Sequence, residues 1–300
     1  MWGEQRGGPR SRRIYSRPVS RSDSGSQSAV TAPARVGLAD AGGVVRGGRL
    51  RAAGRAAGML ALTAADYVLY QGGRLLLAPW SRRRRGWHDR WIRHWARGVG
   101  RRLGLRWRVV GTPPEPPFLL VANHLSYADV FPLMAVTGAN FVAKSEVGSW
   151  PVVGHLCRMS GTLLIDRRSR RDLLRVGQAI EERLAVGEGV ILFPEGTTGR
   201  GDAMLPFKAS LLEGAAAGGL PVWYATVSYR TPPGTPPPAG TVCWWGDEAF
   251  LPHFVRLMRV RRVEATLCFG PEPIADRDRK RLAARLRAAM EELFEPCAAG

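Results

Sequence analysis

From residue 106 onward, short runs rich in β-branched and aromatic residues alternate with stretches of helical periodicity. The clearest helix is predicted over residues 169–187, where Leu173, Ile180 and Leu184 share one face, and another runs from about residue 276 to just before Pro296. This alternation is typical of an α/β domain, which we place at residues 106–296. The predicted strands are 106–110, 118–122, 141–143, 162–165, 190–193, 222–229, 242–245 and 263–269.

Positive charge is concentrated in the first third of the chain. The 300 residues include 44 basic and 25 acidic ones, a net charge of +19, but 23 basic and only 5 acidic residues precede Gly111. Such an excess favours an anionic partner: nucleic acid, a membrane surface or a phosphorylated substrate. The predicted α/β domain itself is nearly neutral.

Residues 1–57 are a basic mixture of Arg, Gly, Ser, Ala and Pro without periodicity, so we predict a disordered tail. Residues 58–80 turn apolar, but Asp66, Gln71 and Arg74 interrupt them, which favours an interfacial or buried helix over a membrane-spanning one.

A second helix is predicted next, in which Trp87, Trp91 and Trp95 recur every fourth residue among arginines. A basic helix with a tryptophan stripe suits a lipid headgroup layer. The alternative is an ordinary helix that packs this stripe on the domain, because periodicity does not identify the partner. We predict that residues 58–105 form a membrane-associating helical segment.

The first candidate site follows the strand at 118–122, where the chain reads Asn123, His124 and, five residues after the histidine, Asp129. A carboxylate that holds one imidazole nitrogen leaves the other free to accept a proton. The alternative is a locally satisfied histidine and an aspartate that caps a helix.

Two further strands end in polar residues. The strand at 190–193 is followed by Pro194, Glu195 and Gly196, which places a carboxylate and an amide-rich turn where open α/β sheets bind ligands. The strand at 162–165 delivers Asp166 and Arg167. A solvated turn and a simple ion pair are the respective alternatives.

The spacing of the four cysteines does not indicate a metal site or a redox site. Cys157, Cys243, Cys268 and Cys297 are far apart, with no CxxC pair, so we predict neither a metal site nor a disulfide framework.

In order and spacing, these motifs resemble the glycerophospholipid acyltransferase family, from about residue 103 to residue 269. The matching groups are Asn123, His124 and Asp129; Gly161, Asp166 and Arg167; residues 193–197; and residues 220–222. The resemblance implies a mixed sheet flanked by helices. It also implies transfer of an acyl group from acyl-CoA or acyl-carrier protein to the free hydroxyl of a lysophospholipid, at the cytoplasmic face of a membrane.

In such an enzyme His124 is the general base and Asp129 orients it. No serine or cysteine lies in a nucleophile elbow, so we expect direct transfer, with the acyl thioester as co-substrate and no further cofactor. The first acceptor implied is 1-acyl-sn-glycerol-3-phosphate, which would give phosphatidic acid.

The resemblance also nominates acceptor-binding residues: Asn123, Lys144, Arg167, Glu195, Gly196 and Thr197. Family members that act on lysophosphatidic acid usually carry Arg after Glu-Gly-Thr, where this chain has Thr198. A hydroxyl cannot bind phosphate bidentately, so Arg200 would have to supply that charge. Another lysolipid, such as lyso-ornithine lipid, is therefore the alternative acceptor.

Two other classes of protein fit the sequence less well. An arginine-rich nucleic-acid-binding protein would use the first third of the chain, but no RRM signature, KH loop or zinc spacing is present. A hydrolase built on His124 and Glu195 lacks a metal-ligand set and a GxSxG turn. We expect no nucleic-acid partner.

Overall fold

The computed structural model describes residues 48–151, 153–166 and 170–299. Most of the predicted tail, and Arg167, lie outside these ranges. Residues 48–57, predicted as the end of the disordered tail, are instead helical. Their alanines favour a helix, and Arg55 anchors it by donating to the carbonyl oxygens of Met258 and Val260.

The helices and strands alternate as the sequence predicts. The helices are α1 Gly48–Leu76, α2 Ser81–Arg102, α3 Val130–Thr137, α4 Val153–Met159, α5 Arg170–Ala185, α6 Glu213–Gly218, α7 Phe250–Arg259 and α8 Arg279–Leu293. The strands are β1 Leu105–Val110, β2 Phe118–Ala122, β3 Asn140–Lys144, β4 Leu163–Ile165, β5 Gly189–Leu192, β6 Val222–Thr231, β7 Val263–Phe269 and β8 Ala298–Ala299.

The strands form one mixed sheet in the order β1-β7-β6-β2-β5-β3-β4, with β8 beside β6. β6, β2, β5, β3 and β4 are parallel, whereas β7 runs antiparallel to β6. Every residue of the central strand β2 is buried, and its alternate side chains enter two separate apolar cores. Burial on both faces explains its continuously apolar sequence.

The predicted strand at 242–245 is wrong. Val242 and Cys243 are buried, as their apolar side chains require, but their backbone amides donate to the carbonyl of Pro238. Trp244 donates its amide to the carbonyl of Leu125. The segment is therefore a buried loop that passes beside the end of β2.

The tryptophan stripe does not face lipid. Trp91 and Trp95 are buried: Trp91 stacks on Tyr70 at 4.1 Å between ring centroids, and Trp95 donates to Thr63 Oγ1 at 3.2 Å. The stripe thus packs on α1, and the interpretation of these tryptophans as membrane anchors is wrong. An apolar stripe is buried by whichever surface lies nearest, and here the preceding helix covers it.

The outer face of α1 is apolar and exposed. Leu60, Val68, Leu69, Leu75 and Leu76 each have more than half of their surface accessible. The charged residues between Leu50 and Gly73 point elsewhere: Arg51 and Arg55 donate to backbone carbonyls of the domain, and Asp66 is buried. Within the described ranges, no helix has the length and apolar character needed to traverse a bilayer.

Candidate active site

The predicted site residues follow strands that end at one edge of the sheet. β2 leads to His124, β5 to Glu195, β3 to Lys144 and β4 to Asp166. Leu120 of β2 and Phe141 of β3 both pair with Ile191 of β5, so these strands are in register. Because the strands are parallel, their carboxyl ends meet at the same edge, as in other α/β ligand sites.

His124 and Asp129 are joined as the spacing predicts. His124 Nδ1 lies 2.9 Å from Asp129 Oδ2. Asp129 is fully buried, whereas 19% of the His124 side chain is exposed. The carboxylate therefore occupies the inner nitrogen, and Nε2 is left for an external partner.

A short turn brings the aspartate back to the histidine. Residues Tyr127–Asp129 form a 3₁₀ helix that Ser126 caps by accepting the amide of Ala128. Asp129 Oδ2 also accepts the amides of Leu125 and Ser126, at 2.7 and 2.9 Å. The capping role foreseen as the alternative is thus real, and the same carboxylate serves both purposes.

Tyr229, on β6, is a further hydrogen-bond donor to Asp129. Its hydroxyl donates to Asp129 Oδ1 at 2.7 Å, and the residue is fully buried. Burial and the nearby carboxylate raise the pKa of this phenol well above its usual value, so it remains a donor.

The backbone and ring of His124 are held by the segment after β5. Its amide donates to Glu195 Oε1 at 3.2 Å, and its carbonyl accepts the amide of Gly199 at 2.8 Å. The imidazole stacks on Phe193 with centroids 3.9 Å apart and 10° between the planes. The segment at residues 193–199 therefore positions the histidine of the Asn123–Asp129 motif.

Glu195 was expected to bind the acceptor, but the structure buries it, leaving 2% exposed. Burial raises the pKa of its carboxyl to about 8, so the group is mostly protonated at neutral pH. A buried, neutral carboxyl next to a strand end is suited to orienting the His124 backbone rather than to contacting a substrate.

Asn123 was also expected at the acceptor, and it too is fully buried. Its Nδ2 donates to the Val227 carbonyl at 3.0 Å, and its Oδ1 accepts the Val227 amide at 2.7 Å. Both halves of the amide are thus engaged by β6, beside the point where β2 ends. Asn123 therefore clamps these two strands.

Lys208 lies over the Gly196 turn. Gly196 has a φ of 72°, which favours glycine, and a Cβ there would come within 2.9 Å of Lys208 Nζ. The Lys208 amide donates to the Pro194 carbonyl at 2.8 Å, which ties the lysine to the motif. Thr197 beside it is exposed and Thr198 is half-buried.

Two other predicted residues, Lys144 and Arg200, are exposed. Lys144 is exposed at the end of β3, two strands from β2 and therefore about 10 Å away across the sheet. Arg200 places its guanidinium 5.3 Å from the centre of the Trp245 ring, with Asp202 nearby. Over the described part of the chain, no cluster of His, Cys, Asp and Glu could hold a metal ion.

Sequence reasoning missed Tyr229 and Lys208. Tyr229 belongs to a strand that reads as ordinary core, a hundred residues from Asp129. Lys208 is one of only three lysines in an arginine-rich chain, which was the one available hint that its position differs from the others.

The family model Acyltransferase matches residues 107–228, which span β2, β5 and most of β6. The α/β sheet and its His–Asp edge are therefore those of an acyltransferase domain. The structure of the 1-acyl-sn-glycerophosphate acyltransferase PlsC from Thermotoga maritima is similar in fold, with a TM-score of 0.52 at 21% identity over 80% of this chain and 97% of that one.

Two curated relatives extend the match. A lyso-ornithine lipid O-acyltransferase of Rhizobium meliloti is 38% identical over 64% of this chain and 70% of its own length. A 1-acyl-sn-glycerol-3-phosphate acyltransferase of Neisseria meningitidis is 40% identical over 44% of this chain and 53% of its own. The chain belongs to the glycerophospholipid acyltransferase family of O-acyltransferases, as its motifs indicated.

Proposed function

We propose that this enzyme transfers an acyl group from an acyl thioester to the hydroxyl of a lysolipid, with His124 as general base. The observation that carries the proposal is the pairing of His124 Nδ1 with the buried Asp129 at the edge of the sheet. That pairing places the proton on Nδ1 and leaves Nε2 as the acceptor.

The reaction needs one proton transfer in each direction. Nε2 takes the hydroxyl proton while the oxygen attacks the thioester carbonyl, and the C–S bond then breaks. The imidazolium returns the proton to the departing thiolate, so no acyl-enzyme and no cofactor beyond the acyl-CoA or acyl-carrier protein donor is required. A positioned base of this kind contributes about 10² to 10⁴ in rate.

Lyso-ornithine lipid is the acceptor that we favour. The relatives so named match this chain over more of its length than those named for 1-acyl-sn-glycerol-3-phosphate. Because residue 198 is a threonine, this position also lacks a guanidinium that could bind a phosphate monoester bidentately. Lys208 supplies a single point charge beside the turn, which suits one carboxylate.

Lysophosphatidic acid is the second candidate. The Neisseria meningitidis enzyme is 40% identical over 135 residues, and the Rhizobium meliloti enzyme is 38% identical over 205 residues. Lys144 and Lys208 together could balance a phosphate dianion without an arginine at position 198.

We further propose that the outer face of α1 docks on the cytoplasmic face of the membrane. This face is uncharged along the middle of the helix, and Arg49 and Arg74 lie exposed near its two ends. Apolar side chains flanked by arginines fit the acyl boundary and the headgroup layer, respectively. Docking there would bring the enzyme to a lipid acceptor.

The test is an acyltransfer assay on the purified full chain. Labelled acyl-CoA and acyl-carrier protein are each supplied with lyso-ornithine lipid, lysophosphatidic acid or lysophosphatidylcholine, and the lipid product is identified by mass spectrometry. We expect diacylated ornithine lipid from the wild type and none from His124→Ala. An active His124→Ala variant would overturn the base assignment, and a preference for lysophosphatidic acid would select the second acceptor.

A further inference from the structure

A basic groove lies at the edge of the sheet opposite to His124. It has a volume of about 340 Å³ and is enclosed by the end of α1, the first turns of α2, the end of α4 and the turn that precedes β5. Glu188, which lines it, comes immediately before β5, whereas Glu195 follows that strand. At the rise of a β-strand the two ends are about 20 Å apart. The groove is therefore separate from the active site.

The groove carries an excess of guanidinium groups. Arg74, Arg84, Arg85, Arg158 and Arg183 line it, against two carboxylates. Glu188 is already neutralised, because Arg183 donates to it at 2.9 Å and Asn140 at 2.8 Å. Four arginines then face the single carboxylate of Asp89.

Two of these arginines are unengaged. Among the residues that the structure describes, no side-chain hydrogen bond or ion pair holds Arg84 or Arg85, although both line the groove. By contrast, Arg158 donates to the Gly148 carbonyl and Arg74 to Gln71. Guanidinium forks with free donors are suited to bidentate binding of phosphate oxygens.

Exposed apolar side chains follow the groove residue Arg74 at the α1–α2 junction. Leu75 and Leu76 follow Arg74 directly and are 78% and 77% exposed, and Trp80 is 51% exposed. A basic cavity next to exposed leucines and a tryptophan matches an amphiphile with an anionic head. Indole rings in particular prefer the boundary between headgroups and acyl chains.

We propose that this groove binds the phosphate of an anionic phospholipid headgroup, as a site distinct from the acceptor site. The lipid's acyl chains would lie along Leu75, Leu76 and Trp80, and its phosphate would bridge Arg84 and Arg85. The site would make the enzyme prefer anionic membranes whichever lysolipid it acylates.

The experiment compares two double variants of the full chain that lose the same charge. The double variant Arg84→Gln, Arg85→Gln removes the two arginine charges of the groove that have no hydrogen-bond or ion-pair partner among the described residues. Arg90→Gln with Arg101→Gln removes two exposed arginines of the same helix that do not line it. Flotation is measured with vesicles of phosphatidylcholine alone and with one-third phosphatidylglycerol. Thermal unfolding verifies that both variants fold, and acyl transfer to a short-chain, micelle-free acceptor should be unchanged in both.

We expect wild type to bind the anionic vesicles more tightly, the groove variant to lose about tenfold of that affinity, and the control variant to retain it. Equal losses in the two variants would show diffuse attraction and overturn the proposal, as would no loss in either. Tight binding of inorganic pyrophosphate by the wild type without vesicles, lost in the groove variant, would assign the groove to a soluble phosphate compound instead.

Discussion

Tyr229 donates its hydroxyl to Asp129 Oδ1 across 2.7 Å, although the two residues are a hundred positions apart in the chain. Asp129 holds His124 through its other oxygen. The orientation of the imidazole therefore depends on β6 as well as on the local turn that contains the two motif residues.

Tyr229→Phe should lower kcat while leaving the KM of both substrates nearly unchanged. The change leaves a buried carboxylate oxygen without its donor, which costs about 1–3 kcal/mol and loosens the imidazole. Steady-state kinetics and urea unfolding measure the two effects. Tyr224→Phe, on the same strand but in the opposite core, is the control. If kcat were unaffected in Tyr229→Phe, Tyr229 would have only a packing role.

Glu195→Gln should remove part of the pH dependence of stability. The folded-state pKa of about 8 lies above the unfolded value of about 4.3, so the folded chain keeps a proton that the unfolded chain releases. That contribution to stability is fully present below about pH 4 and is lost as the pH rises to about 8, an effect on the order of a few kcal/mol. Urea unfolding between pH 5 and 9 should show a falling stability in wild type and a flatter curve in the variant. Parallel curves would mean that Glu195 is ionised in the fold.

Lys208→Gln should raise the KM for the acceptor about tenfold with little change in kcat, because one charge-assisted contact is lost. Lys280→Gln, an exposed lysine on α8, is the matched control. Acceptor titrations at saturating donor separate the two parameters. Unchanged KM in both variants would show that the Lys208 ammonium does not meet the acceptor.

Thr198→Arg should move the ratio of kcat/KM values toward lysophosphatidic acid and away from lyso-ornithine lipid by about tenfold, because a guanidinium binds a phosphate monoester bidentately. Competition between the two acceptors in one reaction gives this ratio directly. An unaltered ratio would mean that residue 198 does not contact the headgroup.

Leu60→Asp should weaken binding to vesicles about tenfold, since it places a charge in the middle of the exposed apolar face of α1. Val186→Asp alters another exposed apolar residue, just after α5 on the other side of the sheet, and should bind like wild type. Flotation measures both. Retained binding in Leu60→Asp would place the membrane contact elsewhere.

The sequence by itself predicted the α/β domain and suggested the pairing of His124 with Asp129, which the structure confirms. Both are local: strand and helix periods are visible within a few residues, and residues five apart can meet when the chain between them forms a turn, as at Tyr127–Asp129. It also located Glu195, because a polar residue after an apolar strand marks the edge of a parallel sheet.

Only the tertiary structure decided which surfaces meet. Periodicity showed that Trp91 and Trp95 share an apolar face, but α1 and not lipid covers it. Asn123 and Glu195 looked equally available to a substrate, yet the order of the strands buries both. Tyr229 reaches Asp129 because β6 lies beside β2, a neighbour relation set by the packing of the whole sheet and carried by no local pattern.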